Sequence, residues 1–200
     1  LGNNHTQMNP TDPIAFIAPP AWLGVLGGGQ LGRMFVHAAQ AMGYKVCVLD
    51  PAPDCPAAQA ADDHLVAAYD DPAALALFAK KVRAVTTEFE NVPAQSLRFL
   101  AQHIPVSPPT DAVAIAQDRR KEKAFFAANG FPIGAVAVIE NEQSDFSNVR
   151  FPAILKTATL GYDGKGQKTI ESAPQVLTVW NELKQVPCVL EKRLPLRHEL

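Results

Sequence analysis

The chain has 200 residues, 48% of them hydrophobic, and a formal net charge of −2 at pH 7. This length allows one large domain or two small ones, and the hydrophobic fraction is sufficient for a folded core. The charge lacks the basic excess of nucleic-acid and anionic-membrane binders, and no apolar run approaches the roughly 20 residues of a membrane-spanning helix. We therefore expect neither nucleic acid nor a membrane as a partner.

The cysteines and the N-terminal segment give only background information. Cys47, Cys55 and Cys188 are widely spaced and form no C-x-x-C pair, so neither a disulfide framework nor a zinc site is predicted. A reducing, cytoplasmic setting is the simplest expectation. Residues 1–20 lack the features of a signal peptide, and we interpret them as a loose arm, partly a remnant of expression, outside the fold.

Residues 21–110 show alternating strand and helix patterns. The predicted strands are Trp22–Leu26, Lys45–Asp50, His64–Ala67, Ala84–Thr87 and a short one near Pro105–Val106. The predicted helices are Gln30–Met42, Pro72–Lys81 and Ala94–Gln102. In the first helix, one face carries the apolar residues Leu31, Met34, Phe35, Ala38 and Met42. Such alternation predicts a doubly wound α/β domain with a parallel sheet, whose ligands bind beyond the carboxyl ends of the strands.

Residues 111–200 follow a different pattern. Asp111 and Asp118 are each placed to cap a short helix, and the second helix extends to Asn129. The elements predicted after residue 150 are a strand, a glycine-rich loop and a strand within 151–170, a helix over Pro174–Lys184 and a strand over Cys188–Glu191. This order predicts a second, α+β domain with an antiparallel sheet. We therefore place the arm at 1–20, the first domain at 21–110 and the second at 111–200.

The glycine loop "LGGGQLG" follows the first predicted strand. Gly27, Gly29 and Gly32 fit the G-x-G-x-x-G spacing, and the next strand ends in Asp50, which together resemble a dinucleotide-binding fingerprint. Small residues let a ligand approach the amides at a helix N-terminus, where the dipole favours negative charge. A tight strand-to-helix turn without a ligand is the alternative.

The segment "TTEFENVP" places two carboxylates around an aromatic residue. In an extended segment Glu88 and Glu90 point the same way and Phe89 points to the opposite face. Carboxylates at the end of a buried parallel strand can accept hydrogen bonds from a substrate amine. Ordinary loop charges or a helix cap would explain the same residues.

The segment "LKTATLGYDGKGQ" carries the most specific signal. Lys156 lies on an apolar strand, so its charge needs an anionic partner. The following glycines and Lys165 can fold over phosphate oxygens and exclude water, although the order is not that of a P-loop. A glycine-rich hairpin with solvated lysines is the alternative. Further on, Glu191 follows an apolar strand and Glu199 comes eight residues later, as carboxylates that could accept ribose hydroxyls.

Taken in order, these motifs resemble those of ATP-grasp enzymes. "GGGQLGRM", "EFENVP", "LKTATLGYDGKGQ" and "EKRLPLRHEL" are most similar to the 5-(carboxyamino)imidazole ribonucleotide synthase family of purine biosynthesis. The resemblance extends from Trp22 to Leu200. It implies a Rossmann-like pre-ATP-grasp domain followed by the first part of an ATP-grasp domain. It also implies an ATP-grasp ligase that carboxylates 5-aminoimidazole ribonucleotide with bicarbonate, through carboxyphosphate, with ATP and Mg²⁺ as cofactors and a homodimeric assembly.

The resemblance also assigns roles to individual residues. The implied ATP-binding residues are Arg119, Lys156, Gly161, Tyr162, Asp163, Gly164, Lys165, Gly166, Gln167, Glu191, Lys192, Arg193, Leu194 and Glu199. Within this set, Glu191 to Leu194 would line the adenine pocket, Glu199 would hold the ribose, and residues Gly161–Gln167, called the lid below, would cover the phosphates with Arg119 and Lys156. The implied substrate-binding residues are Gln30, Leu31, Glu88, Tyr162 and Asp163, and the implied catalytic residues are Lys156 and Asp163.

Family members are longer than this chain, and their later part supplies the magnesium ligands. We therefore expect no metal ligand here and no turnover by the 200-residue chain alone. Three alternatives remain open: another ATP-grasp ligase such as formate-dependent glycinamide ribonucleotide transformylase, a dinucleotide-binding dehydrogenase-type module, and a non-catalytic scaffold. The sequence "GYDGKGQ" favours the carboxylating family. On that interpretation Asp50 loses a ribose-binding role and is a strand-end loop residue.

Overall fold

The computed structural model describes residues 16–161 and 166–195. The chain forms two compact units that meet after Val113 in the sequence: unit 1, up to Val113, and unit 2, from Ala114 onward. The domain limits predicted from sequence at residues 20 and 110 stay predictions. No helix in the described part of the chain is both long and apolar enough to cross a lipid bilayer.

Unit 1 is built around a parallel sheet. Its elements in chain order are β1 (Trp22–Leu26), α1 (Gln30–Ala41), β2 (Lys45–Asp50), β3 (Asp63–Val66), α2 (Pro72–Lys81), β4 (Ala84–Thr87) and α3 (Ala94–Ala101). Helix α4 (Thr110–Ala116) spans the division between the units. The strand order is β3-β2-β1-β4 and every pairing is parallel, which confirms the predicted doubly wound sheet.

Alternate strand residues of unit 1 are buried on opposite faces of the sheet. Leu26 and Leu49 pack with Phe78 of α2 in one core, whereas Val25 and Val48 belong to the core that includes α1. Helix α2 begins where the Asp71 carboxylate accepts the first free amides of the helix, as an N-cap does. Because both faces are covered, the carboxyl ends of the strands are the place where side chains can meet a ligand.

Three details of unit 1 differ from the sequence expectations. No strand forms at Pro105–Val106, where the structure has only an isolated parallel bridge between Val85 and Val106. Asp111 lies inside the first turn of α4 and pairs with Arg98 at 3.1 Å, so it does not precede the helix as a cap.

The third difference concerns α1, whose buried face is Gly32, Val36 and Ala39. Leu31, Met34 and Met42 on the predicted apolar face are 62%, 59% and 62% exposed. The reason is close approach: a Cβ at Gly32 would lie only 2.7 Å from the Gly27 carbonyl oxygen, so the helix packs closely through Gly32, Val36 and Ala39. Phe35, also on the predicted face, packs against the same core.

Unit 2 contains an antiparallel sheet. Its elements are α5 (Arg119–Ala128), β5 (Val136–Ile139), β6 (Ala153–Thr157), β7 (Gln167–Ile170), α6 (Gln175–Glu182) and β8 (Cys188–Lys192). The strand order is β5-β8-β6-β7, and all pairings are antiparallel, as predicted. Asp118 caps α5 by accepting the Arg120 amide at 3.0 Å, which confirms its predicted role. Strand β5 has no counterpart in the sequence analysis.

The two faces of this second sheet have different roles. Leu155 and Leu190 point toward α6, where they pack with Val176 and Trp180 in a buried core. Residues at the alternating positions, such as Lys156 and Glu191, point to the opposite face because successive strand side chains alternate. That opposite face carries an ion-pair cluster of Glu191, Lys156 and Lys123.

Candidate functional site

The glycine loop of unit 1 donates its amides to protein carboxylates. The Gly28 N–H donates to Asp50 Oδ2 at 2.7 Å, and the Gly29 and Gly32 N–H groups donate to the two oxygens of Glu88 at 3.0 and 3.2 Å. Gly29 is the N-cap residue of α1 and has no side chain, so Glu88 provides the cap from 59 residues away. The donors that the sequence suggested for an anionic ligand are therefore already in use.

Glu88 also explains why glycine is needed at the start of the loop. Gly27 has φ +105°, and a Cβ at this position would lie 2.3 Å from Glu88 Cγ. The negative charge of Glu88 occupies the positive end of the α1 dipole, where a pyrophosphate would otherwise bind. This arrangement argues against the dinucleotide-binding alternative, because a bound pyrophosphate would meet a carboxylate there.

Asp50 is the last residue of β2, as expected, and its side chain also organises the glycine loop. It is 8% exposed and accepts three hydrogen bonds, from the amides of Gly28 (2.7 Å) and Ala52 (2.8 Å) and from the Tyr69 hydroxyl (2.5 Å). Burial and the hydrogen bond to Asp50 raise the pKa of Tyr69 above its usual range. The Tyr69 ring lies 5.6 Å from the Phe89 ring, between centroids. Asp50 and Tyr69 thus connect the glycine loop to the segment that carries Glu88.

A cavity of about 680 Å³ opens beside this network. Its lining residues are Gly28, Gly29, Asp50, Ala52, Pro53, Asp54, Cys55, Pro56, Tyr69, Glu88 and Phe89. Among the described residues, the lining contains the carboxylates Asp50, Asp54 and Glu88 and no lysine or arginine. Such a cavity favours a ligand group that donates N–H bonds and disfavours a phosphate.

Of the substrate-binding residues predicted from sequence, only some line this cavity. Glu88 lines the cavity, whereas Gln30 and Leu31 are exposed in the first turn of α1, directly after Gly29. The predicted extended geometry of this segment is wrong: β4 ends at Thr87 and residues 88–90 turn, so Glu88 and Phe89 line the same cavity while Glu90 is exposed and does not line it. Tyr162 and Asp163 lie outside the described residues.

In unit 2, the carboxylate of Glu191 on β8 lies between two lysines. Its Oε2 atom is 3.2 Å from Lys156 Nζ on β6 and 3.4 Å from Lys123 Nζ on α5. Because β6 pairs Ile154 with Glu191, Lys156 is the diagonal neighbour of Glu191 on the same face of the sheet. Lys156 therefore has the anionic partner that the sequence analysis demanded, although this partner belongs to the protein.

Lys123 was missed by the sequence analysis. It lies in a strongly polar helix segment, "RRKEK", where one lysine does not differ from its neighbours in pattern. Only the packing of α5 against β8 distinguishes it. The second Glu191 oxygen, Oε1, is buried and has no hydrogen-bond partner among the described residues.

The cluster lies in a second cavity, of about 710 Å³. Its lining combines the charged residues Lys123, Lys156, Glu191, Lys192 and Arg193 with the largely apolar set Phe126, Phe131, Pro132, Ile133, Gly134, Ile154 and Leu194. Five residues predicted to bind ATP therefore line one cavity, namely Lys156, Glu191, Lys192, Arg193 and Leu194. An apolar slot beside lysines suits a planar heterocycle attached to an anionic group.

The remaining residues predicted to bind ATP either do not line this cavity or lie outside the described residues. Arg119 begins α5, and its N–H donates to the Ala158 carbonyl at 2.8 Å just beyond β6. Gly166 has φ +73°, and a Cβ there would lie 2.6 Å from Thr157 Oγ1, so the end of the lid requires glycine. Gly161 is half-buried, and Gln167 begins β7. Tyr162, Asp163, Gly164, Lys165 and Glu199 are outside the described residues.

A metal site was expected to lie outside this chain. Within residues 16–161 and 166–195, no three His, Cys, Asp or Glu side chains are grouped closely enough to hold a metal ion.

Comparison with known families matches both units. A model described as the ribonucleotide synthetase preATP-grasp domain matches residues 21–117, and a model of the ATP-grasp domain matches residues 124–200. N5-carboxyaminoimidazole ribonucleotide synthase of Pseudomonas aeruginosa is 43% identical over 182 residues, which cover 89% of this chain and 50% of that protein. The chain thus spans about half the length of the curated relatives that it matches.

Two solved structures are similar in both sequence and fold. N5-carboxyaminoimidazole synthetase from Staphylococcus aureus, complexed with ADP, has a TM-score of 0.84 and 36% identity, and the match covers 89% of this chain and 48% of that chain. N5-carboxyaminoimidazole synthase from Aspergillus clavatus, in complex with ADP and 5-aminoimidazole ribonucleotide, has a TM-score of 0.76 and 28% identity, with coverage of 88% and 47%.

Proposed function

This chain belongs to the N5-carboxyaminoimidazole ribonucleotide synthase family of the ATP-grasp superfamily, and we propose that it takes part in the ATP-dependent carboxylation of 5-aminoimidazole ribonucleotide by bicarbonate. The product is the N-carboxylated ribonucleotide of de novo purine biosynthesis. One observation carries the proposal: five residues with implied ATP roles line a single half-apolar, lysine-containing cavity in unit 2.

The geometry supports a nucleotide in the cavity of unit 2. The apolar walls accommodate the adenine, with the backbone of Lys192 to Leu194 along its edge. Lys156 provides a positive charge for the phosphates, and Arg119 and the lid complete the phosphate site. Glu199 holds the ribose. Related proteins crystallised with ADP or ATP support this assignment.

The cavity of unit 1 supports the other substrate. Its carboxylates suit the amino group of 5-aminoimidazole ribonucleotide, with Glu88 as the residue that accepts an N–H bond. Gln30 and Leu31, exposed in the first turn of α1, keep the substrate-binding role that the resemblance implies. The phosphate of the ribonucleotide would be repelled by Asp50, Asp54 and Glu88, so its counter-charges lie elsewhere. The relative crystallised with ADP and 5-aminoimidazole ribonucleotide supports a site for both ligands.

The reaction transfers one phosphoryl group and one carbon. A bicarbonate oxygen attacks the γ-phosphorus of ATP, the bond to the bridging oxygen of ADP breaks, and carboxyphosphate forms. Carboxyphosphate loses phosphate to give carbon dioxide, which the substrate amine attacks with loss of a proton. Lys156 and Lys165 offset charge on the transferring group, lid closure excludes water, and Asp163 positions the amine. Mg²⁺, when bound, neutralises further phosphate charge, and we expect its ligands outside the described residues.

Two finer assignments accompany this proposal. We expect a homodimer, as the family resemblance implies, and light scattering of the full-length protein tests this. We also expect a cytoplasmic location, supported by the three free cysteines. Cell fractionation tests that assignment.

The test of the function is an ADP-release assay with the full-length protein. The protein should release ADP from ATP when bicarbonate and 5-aminoimidazole ribonucleotide are present. It should release none when formate and glycinamide ribonucleotide take their place. Lys156→Met should abolish turnover, and the matched control Lys168→Met, at an exposed position of β7, should retain it. ADP release that requires formate would favour the transformylase instead. The 200-residue chain alone should give no turnover.

A further inference from the structure

Glu191 is shared by two lysines through a single oxygen atom. Lys156 Nζ and Lys123 Nζ lie 3.2 and 3.4 Å from Oε2, and the side chains of Glu191, Lys156 and Lys123 are 15%, 21% and 23% exposed. Exposed ion pairs contribute little because water screens them, but these three groups are mostly shielded from solvent. Each charged group in the cluster is therefore stabilised mainly by its oppositely charged neighbours and not by water.

The proposed nucleotide site makes conflicting demands on Lys156. A lysine that neutralises phosphate oxygens must give up part of its interaction with the carboxylate that it contacts in the structure, here that of Glu191. Removing one partner from a shielded ion pair is strongly unfavourable, because an uncompensated charge remains. Without a second cation, nucleotide binding would leave Glu191 in that state.

We propose that Lys123 is a positioning residue that keeps Glu191 paired and oriented when Lys156 contacts the nucleotide phosphates. It comes from α5, a different element from the β6 strand that carries Lys156, so it can stay in place while Lys156 moves. This inference rests on the proposed function, since it requires a nucleotide in the unit 2 cavity.

The unpaired oxygen of Glu191 supports the same role. Among the described residues, Oε1 is buried without a hydrogen-bond partner, so the contacts of Oε2 are what hold the carboxylate in position. Lys123 is one of only two cations in contact with Oε2 within the described part of the chain. When Lys156 contacts phosphate, Lys123 is the cation that holds the Glu191 carboxylate in the orientation seen in the structure.

A double-mutant cycle in the full-length protein tests the inference. The measurement is the Kd of a non-hydrolysable ATP analogue by isothermal titration calorimetry. Lys123→Met should weaken binding about tenfold, and Lys123→Arg should restore it to within about threefold of the wild-type value. In a Glu191→Gln background, Lys123→Met should change the Kd less than about twofold, because the carboxylate that Lys123 pairs with is absent.

Controls separate this role from a structural or direct one. Lys121→Met removes an exposed lysine from the same helix and should leave the Kd unchanged. If Lys123→Met lowers the folded fraction, Lys123→Gln takes its place in the cycle. An equal loss in both backgrounds would overturn the inference, since it would mean direct phosphate contact or general damage.

The wild-type measurement distinguishes failure of the inference from failure of the proposed function. Wild-type binding that Lys123→Met leaves unchanged would overturn the inference alone. A wild-type protein that does not bind the ATP analogue would overturn the proposed function, and the inference with it.

Discussion

Removal of the Glu88 carboxylate should destabilise unit 1, because this side chain caps α1. Its two oxygens accept the amides of Gly29 and Gly32 at 3.0 and 3.2 Å, and it lies at the N-terminus of a helix of 12 residues. In Glu88→Ala, both amides lose their acceptor, and the helix loses a favourable charge at the positive end of its dipole.

The expected magnitude follows from these contacts. Hydrogen bonds to a charged group each contribute about 1.5–3 kcal/mol, and a charge at a helix terminus contributes about 0.3–1 kcal/mol. Glu88 is half-buried, and its bond to Gly32 is long, so water replaces part of the loss. We expect Glu88→Ala to lower the free energy of unfolding of unit 1 by about 2–4 kcal/mol, and Glu88→Gln, which keeps one acceptor oxygen, by about half as much.

The assay is urea unfolding followed by alkylation of Cys47, resolved by mass spectrometry. Cys47 is 1% exposed in the core of unit 1, so its labelling reports the opening of this unit specifically. The matched control is Asp54→Ala, which removes an exposed carboxylate from the same cavity and should change stability by no more than about 0.5 kcal/mol.

Two results would refute this reasoning. If Glu88→Ala stays within about 0.5 kcal/mol of the wild type, the carboxylate does not cap α1 in solution. If the Glu88 and Asp54 variants lose stability equally, the effect is not specific to the hydrogen bonds between Glu88 and the glycine loop.

Three further predictions address other parts of the chain. Tyr69→Phe removes the 2.5 Å hydrogen bond to buried Asp50 and should lower the unfolding free energy of unit 1 by about 1–2 kcal/mol in urea; an unchanged value would exclude the bond. Burial raises the pKa of both Cys47 and Cys188 to about 11, so at pH 8 iodoacetamide should label them only after unfolding; rapid labelling of the native protein would contradict this. The hydrogen bond from the Arg120 side chain lowers the pKa of Asp118. The Asp118 carboxylate therefore stabilises the fold above its unfolded pKa of about 3.9, and this stabilisation is lost as the pH falls below that value. The stability difference between wild type and Asp118→Asn should therefore shrink between pH 7 and pH 3 in urea titrations, and a constant difference would show that the ion pair contributes nothing.

The sequence predicted regular elements well where local signals agreed with packing. Helix α2 has an aspartate cap, a proline in its first turn and two lysines in its last turn, and its bounds match the prediction, Pro72–Lys81. Strand β5, with the residues "VAVI", was missed, although strands β3 and β4 of the same length were predicted. It becomes a strand only through pairing with β8, which is distant in sequence.

Some residues of the candidate sites were also identified from local sequence, whereas others were identified only by the packing. Lys156 and Glu191 were identified separately from their strand contexts, and the sheet register then brought them together. The role of Lys123 could not be predicted, because a polar helix gives no indication of which lysine faces a carboxylate on another element. The face of α1 was predicted from hydrophobicity, yet the helix packs through its small residues because the glycine loop brings it close to the sheet.

By itself, the sequence determined the two kinds of sheet, the family, and which motifs follow which strands, because periodicity and short-range motifs are local properties of the chain. Only the tertiary structure decided what the glycine loop does. Glu88, 59 residues from Gly29, caps the helix N-terminus at which the glycine spacing alone indicated a bound phosphate. The partner of a loop amide is the carboxylate that the packed fold brings within hydrogen-bonding distance. The motif alone does not specify that carboxylate.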